Sequence, residues 1–273
     1  MRDGGSVVEE SEILVEKRDG FATLAFNRPE KRNALTAQLL TSLTLALEEL
    51  ARDDGIRCVV LKGTGDSGFS VGMDLADMAL NRPKENYSLI SEGGPLRRAI
   101  AAIEAFPYPV IAMINGYAMG AACELAIACD LRIGCERTRM GTPSAKLGIV
   151  YPLEGCERFS RTLGLATTRK LFHTARYFEG DELHKMGMLD FVRVEEELEG
   201  FTFELAREIA MLAPLSVKGQ KRALDAIAGE RVSPDVDYVS AIHDMVADSI
   251  RSADAKEGIQ AFLERRDPRF TGH

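Results

Sequence analysis

The chain has 273 residues, with 34 lysines and arginines against 42 aspartates and glutamates and a formal net charge of −8. That balance does not suit a protein whose affinity comes from neutralising phosphate backbones, so nucleic acid is not an expected partner, and any anionic ligand must find a local basic patch. Five cysteines (Cys58, Cys123, Cys129, Cys135, Cys156) form no CxxC, and the four histidines (His173, His184, His243, His273) have no metal-ligand spacing, so a reducing cytoplasmic setting and no metal site are expected.

Residues 1–12 are polar and acidic, with no secretory signal among them, and read as a tail. From Ile13 to Phe26 two short strands flank Asp19-Gly20, a two-residue hairpin turn. Asn27 to Asn33 is a polar, cationic loop, after which Thr36 caps a helix whose apolar positions Leu39, Leu40, Leu43, Leu47 and Leu50 keep a helical period to about Arg52. Cys58 to Leu61 is a strand, Gly63 to Gly72 a glycine-rich turn, Asp74 to Ala79 a short helix and Asn81 to Gly94 a polar loop.

Pro95 opens a helix to Ala105, Val110 to Ile114 is a buried strand, Asn115-Gly116 turns, and Gly120 to Ala128 is a helix with almost no polar face except Glu124. The apolar run from Val110 to Cys129 is long enough to suggest a membrane span. The turn in its middle and the ionisable Glu124 favour a buried strand, turn and helix instead. Leu131 to Cys135 returns as a strand, and this short-range alternation predicts a parallel α/β core.

Beyond Gly155 the pattern becomes helical: Glu157–Leu163, Ala166–Phe172, Asp181–Met186, Phe203–Leu212, Val217–Ala228, Asp235–Ile250 and Asp254–Glu264, with one strand at Asp190–Val194. The division expected is an α/β core over 13–200 and a helical C-terminal region over 201–273.

Gly63 to Gly68 matches G-x-G-x-x-G after a strand, the pattern of a dinucleotide fold. It is not the first strand, however, and no helix opens from the third glycine, so a loop is expected and a nicotinamide oxidoreductase is the lesser alternative. In Gly116 to Glu124, small residues let a backbone approach a ligand and precede an apolar helix whose first N–H groups have no internal partners. Glu124 lies about one turn from those N–H groups, and desolvation there raises a carboxyl pKa. Helix packing alone is an equal reading of these Gly and Ala residues. A second glycine-containing turn, Phe69 to Leu75, allows two N–H groups to be aimed at one oxygen, as a thioester enolate requires.

With these motifs in order, the sequence resembles the crotonase family, also called the enoyl-CoA hydratase/isomerase family. The matches are Asn27-Arg28-Pro29 with Asn33-Ala34-Leu35, Val71 to Leu75, Pro109 to Cys129, and Glu257-Gly258 to Phe270. The resemblance implies a spiral of ββα units with a helical C-terminal region, homotrimers often paired into hexamers, and an acyl-CoA substrate whose coenzyme A needs no further cofactor. It assigns the oxyanion N–H donors to Met73 and Ala121, and Glu124 to the first of the two catalytic glutamates of the hydratases. It places Arg28 and Lys31 near the coenzyme A phosphates and adenine, and Phe262 and Arg265 on the coenzyme A of a neighbouring subunit. Val71, Asp74 and Gly120, in the two turns, join the coenzyme A-binding residues. Met73, Met78, Leu80 and the Asn81–Gly94 loop are expected to line or cover the acyl pocket.

Two departures bear on the reaction. Ser144 stands where the hydratases have their second glutamate, and Pro152, without an N–H, stands at a glycine position that helps hold water. Ser144 has no nearby histidine in sequence to activate it and reads as polar lining. Glu154 either supplies the missing carboxylate from its loop or is a solvated loop charge. Hydration of a 2-enoyl-CoA is the reading preferred. Double-bond isomerisation, decarboxylation or thioester hydrolysis with the single glutamate remain open, as does non-catalytic acyl-CoA binding.

Overall fold

The computed structural model describes residues 11–66, 68–74, 93–228 and 236–273. The expected helix at Asp74–Ala79, most of the Asn81–Gly94 loop with Met78 and Leu80, and most of the 1–12 tail lie outside the described residues.

Strands β1 (Ile13–Lys17) and β2 (Ala22–Phe26) form an antiparallel hairpin. To β2 are added, each parallel to the last, β3 (Val59–Gly63), β4 (Val110–Ile114), β6 (Leu131–Cys135) and β9 (Phe191–Arg193). The change from antiparallel to parallel follows the connections: a tight turn joins the first pair, whereas α1 (Ala37–Leu50), α2 (Pro95–Ala105) and α3 (Ala121–Ala128) carry the chain back across the later ones. The Thr36 hydroxyl caps α1 by accepting from the Leu39 N–H at 3.0 Å. Every residue of β4 is buried, which is why it reads as an unbroken apolar run.

A second layer turns this sheet into a spiral. After each of β2, β3, β4 and β6 the chain rounds a corner and runs a short extended segment: Leu35, then Ser70 to Met73, then β5 (Tyr117–Met119), then β7 (Arg139–Gly141). Leu35 pairs with Met73, Ser70 with Ala118 and β5 with β7, all in parallel, and β8 (Phe178–Glu179) closes the layer antiparallel to β7. Each turn is therefore strand, corner, strand, helix. This is the spiral of ββα units that the resemblance implies.

Polar side chains tie one corner to the next. Buried Asn33 donates through Nδ2 to the carbonyls of Thr64 and Gly68, both at 3.0 Å, and accepts from the Arg28 N–H at 3.0 Å. Thr138 Oγ1 donates to the Ile114 carbonyl at 2.7 Å. The glycines of the G-x-G-x-x-G match serve this stacking. A Cβ on Gly63 would lie 2.2 Å from the Gly68 carbonyl oxygen, and one on Gly68 the same distance from the Tyr117 nitrogen. Extended chain, not a helix, follows Gly68, so the loop offers a pyrophosphate no helix N-terminus.

The remaining helices are α4 (Leu153–Thr174), broken at Gly164, α5 (Gly180–Lys185), α6 (Glu195–Met211), α7 (Pro214–Ile227), α8 (Val236–Arg251) and α9 (Ala253–Glu264). Helix α6 starts at Glu195 rather than the expected Phe203, its first turn filled by Glu195, Glu196 and Glu197 where the helix dipole favours acids. Leu198, Phe203 and Ala206 of α6 pack with Phe21, Val60, Ile111 and Ile133 of the sheet. The 200/201 division thus falls inside a helix that belongs to the core, and the helices clear of the sheet begin with α7. Lys221 of α7 links back to the sheet, its Nζ 2.5 Å from Asp130 Oδ2. Among the described residues no helix is long and apolar enough to cross a membrane.

Replacing Asn33 by alanine leaves two buried carbonyls and one N–H without their partner. Asn33→Ala is expected to cost about 2–3 kcal/mol, lowering the thermal midpoint by roughly 5–10 °C for a chain of this size. Scanning calorimetry that found the midpoint unchanged would contradict this role for the corner.

Candidate active site

A cavity of about 630 Å³ opens where two turns of the spiral meet the first turn of α2 and the segment between β7 and α4. Its wall includes Glu124, Met73, Ala121, Ser144, Lys31, Val71, Asp74 and Gly120, all singled out from the sequence.

The two expected oxyanion donors come from successive turns of the spiral. Leu35 donates its N–H to the Gly72 carbonyl and accepts from the Asp74 N–H, so the intervening Met73 presents its own N–H on the opposite edge. Ala121 is the first residue of α3, where an N–H has no intrahelical acceptor. Among the described residues neither N–H is donated to a protein acceptor. Two glycines make the approach possible. Gly72 (φ +91°) has no room for a Cβ, which would lie 2.5 Å from the Met119 carbonyl oxygen and 3.6 Å from the Ala121 nitrogen. Gly120 (φ 54°, ψ −118°) turns the chain into α3 through a conformation other residues avoid.

Glu124 sits on the first turn of α3 and is only 3% exposed. The Tyr151 hydroxyl donates to its Oε2 at 2.6 Å, and Arg158 Nη1 donates to its Oε1 at 2.8 Å. Arg158 is in turn held by Glu104 of α2, through Nε at 2.7 Å. Gly155 leaves room for this clamp: a Cβ there would stand 2.4 Å from the Tyr151 ring and 3.1 Å from Glu124 Oε1. Burial pushes the Glu124 carboxyl above the usual range, while the Tyr151 hydrogen bond and the positive charges of Arg158 and Arg97 draw it back only in part. Burial and the Glu124 charge push the Tyr151 phenol well above its ordinary value, so it remains a donor. Among the described residues each carboxylate oxygen has one hydrogen-bond partner, which leaves it a lone pair for a reacting group.

Of the two departures, Ser144 lies in the 3₁₀ turn Pro143–Leu147 and Pro152 just before α4, both on the cavity wall. Glu154 is not on that wall. It lies half-buried in the first turn of α4, where it complements the helix N-terminus, and it shares no hydrogen bond with Glu124 or Tyr151. Arg28 is also absent from the wall. Its guanidinium faces Glu12 (3.1 Å), Asp74 (3.3 Å) and the Ala34 carbonyl (2.6 Å), which fastens the loop before α1 to the second glycine turn rather than presenting charge to a phosphate. Phe262, 83% exposed, and Arg265, at the end of α9, stand clear of this chain's own cavity.

Sequence reasoning assigned no role to Tyr151, Arg158, Glu104 or Arg97. The partners of Glu124 lie 27 and 34 residues away along the chain, so no local spacing marks them.

Compared with known proteins, residues 16–273 match the model of the enoyl-CoA hydratase/isomerase family. The chain is 33% identical to a crotonyl-CoA hydratase of Syntrophomonas wolfei (94% of this chain, 97% of that one). It is equally, 33%, identical to a methylmalonyl-CoA decarboxylase of Escherichia coli (92% and 95%). It superposes on the crystal structure of an enoyl-CoA hydratase from Bacillus anthracis with a TM-score of 0.86 at 30% identity, covering 96% of this chain and 100% of that one. The chain therefore belongs to the enoyl-CoA hydratase/isomerase family, the crotonases, and is an enzyme of that family.

Two variants test the site's electrostatics. Tyr151→Phe removes a hydrogen bond that lowers the Glu124 pKa, so the acidic limb of the kcat/KM–pH profile should move to higher pH. An unmoved limb would separate Tyr151 from Glu124's titration. Glu154→Gln should turn over near the parent rate, and a loss of about a hundredfold, the low end for an acid–base group, would restore it as a second carboxylate.

Proposed function

We propose that this enzyme adds water across the double bond of a 2-enoyl-CoA to give a 3-hydroxyacyl-CoA. The observation that carries the reading is the pairing of two free N–H groups, from Met73 and Ala121, with a buried and clamped Glu124 on one cavity wall. The N–H groups receive the thioester oxygen. Water oxygen bonds to the β-carbon as Glu124 takes its proton, and the double-bond electrons pass to the thioester oxygen as an enolate held by both donors. Glu124 then returns a proton to the α-carbon, so one carboxylate serves both halves of the addition. The Ser144 hydroxyl supplies a further polar group for the water.

Coenzyme A arrives as part of the substrate, with no separate cofactor or metal. The rim supports this: Lys31, Lys146 and Arg139 stand on the cavity wall and give an acidic chain a local basic patch for phosphates. Arg139 is shared with Glu179 at 2.5 Å. A homotrimer or a pair of trimers is favoured by apolar side chains left exposed on the C-terminal helices, among them Leu224, Ile227, Ile250, Ile259 and Phe262. In such an assembly Phe262 and Arg265 are available to a neighbour's coenzyme A. Five unpaired cysteines favour a cytoplasmic setting.

A second reading rests on the lack of a second carboxylate at Ser144 and of an N–H at Pro152, which leaves a water with the Ser144 hydroxyl alone in place of both. The same enolate would form by breaking the bond between the α-carbon and a carboxylate, releasing carbon dioxide, after which protonated Glu124 would deliver a proton to the α-carbon.

Turnover of 2-enoyl, 3-enoyl and malonyl-type CoA thioesters in heavy-oxygen water, read by mass spectrometry, separates the readings. Hydration predicts one labelled oxygen in the product. Glu124→Gln should slow the reaction by about 10²–10⁴-fold with acyl-CoA binding retained. Carbon dioxide release or unlabelled double-bond migration by the parent protein would replace hydration, and binding without any turnover would remove catalysis.

A further inference from the structure

One cation on the cavity wall acts on Glu124 only through space and makes no hydrogen bond used in the chemistry above. Arg97 stands in the first turn of α2, Pro95–Ala105, and lines the cavity together with Glu124 and Leu96. Its Nη1 is fully buried and has no hydrogen-bond partner, and Arg97 forms no ion pair among the described residues. Its neighbour Arg98 is exposed, with Nη1 donating to the Gly93 carbonyl at 2.7 Å. The first turn of a helix is the end at which a cation is disfavoured, so the dipole does not account for Arg97. Nor does Arg97 hydrogen-bond Glu124, whose oxygens accept from Tyr151 and Arg158.

A buried guanidinium nitrogen without an acceptor carries a desolvation cost, and a carboxylate is the acceptor whose geometry and charge match it best. The other cations on the wall differ. Lys31 and Lys146 are exposed, as coenzyme A phosphates require, and Arg139 is paired with Glu179. Of the two acids on the wall, Asp74 is in an ion pair with Arg28 and Glu124 in one with Arg158, and neither accepts a hydrogen bond from Arg97, whose charge reaches Glu124 only through space.

We propose that Arg97 is a specificity-determining residue that receives a carboxylate on the acyl chain, so that the preferred substrates are CoA monothioesters of dicarboxylic acids with the free carboxylate beyond the β-carbon. The proposal rests on the acyl-CoA reading of the cavity. In outline, the oxyanion donors fix the thioester end, Glu124 addresses the α- and β-carbons, and Arg97 fixes the far end.

The test separates binding from reaction. Titration calorimetry compares glutaryl-CoA with pentanoyl-CoA and adipoyl-CoA with hexanoyl-CoA, pairs that differ only in a terminal carboxylate against a methyl. The parent protein should bind the carboxylate member of at least one pair about tenfold or more tightly, as a buried charge-assisted hydrogen bond implies. Arg97→Met should abolish or reverse that preference while binding the methyl-ended member as well as the parent does, and Arg97→Lys should restore part of it. Equal binding within both pairs by the parent, or a carboxylate preference that survives in Arg97→Met, overturns the proposal.

The corresponding 2-enoyl thioesters are then assayed in heavy-oxygen water. A carboxylate preference in binding without labelled product would overturn hydration and leave Arg97's role standing. Hydration without discrimination would do the reverse.

Discussion

Helix α3 is apolar on every face except for one carboxylate, and much of the site's architecture follows from the need to keep Glu124 buried and still ionisable. An unpaired carboxylate in such surroundings would neutralise or unfold the helix around it. Tyr151 and Arg158 offset the desolvation, but Arg158 is itself buried and needs Glu104 to hold its other nitrogen. The sequence of partners therefore runs from α3 through α4 to α2, and it fixes three helices relative to one another. Both the cavity wall at α2 and the segment leading into α4 take their positions from this arrangement. Breaking a link leaves a buried charge unmatched, which in such pairs is more damaging than never having had the pair.

The spiral gives the other half of the site for a purely geometrical reason. Because each turn lays its second strand against that of the turn before, the Gly72 and Gly120 turns come to lie back to back. Neither turn alone presents two converging N–H groups. It is the stacking of consecutive turns, held at the corners by Asn33 and Thr138, that places Met73 and Ala121 together. The stability of the corners and the alignment of the Met73 and Ala121 N–H groups are in this sense one property.

The elements most legible in the sequence were those whose burial follows a period or whose ends carry a cap: β2, β4, α1 with its Thr36 cap, and α2 with Pro95 at its start. The second layer was not legible. Strands β5, β7 and β8 are three residues long or shorter and pair with other turns of the spiral, so no local pattern announces them. The site divides in the same way. Gly72, Gly120 and Glu124 stand out locally because glycines mark turns and a lone acid marks an apolar helix. The side chains that govern Glu124's proton affinity come from across the fold, and the nearby Glu154, the local candidate for a second carboxylate, turned out to lie off the cavity wall.

Charge matching on and beside the cavity wall carries this reasoning one step further. Arg28 faces Asp74 and Glu12, Arg139 faces Glu179, and Arg158 faces Glu104 and Glu124. Each of these cations has an acid in the protein and is explained by structure or by the buried carboxylate of Glu124. Lys31 and Lys146 are exposed to water, which meets their hydration cost. A guanidinium nitrogen removed from water and given no hydrogen-bond acceptor among the described residues is different in kind, because its burial is not offset by a hydrogen bond. In a net-acidic protein, with acids in excess to pair with it, such a nitrogen on a residue that lines the cavity is matched most economically by an acid that arrives with the ligand.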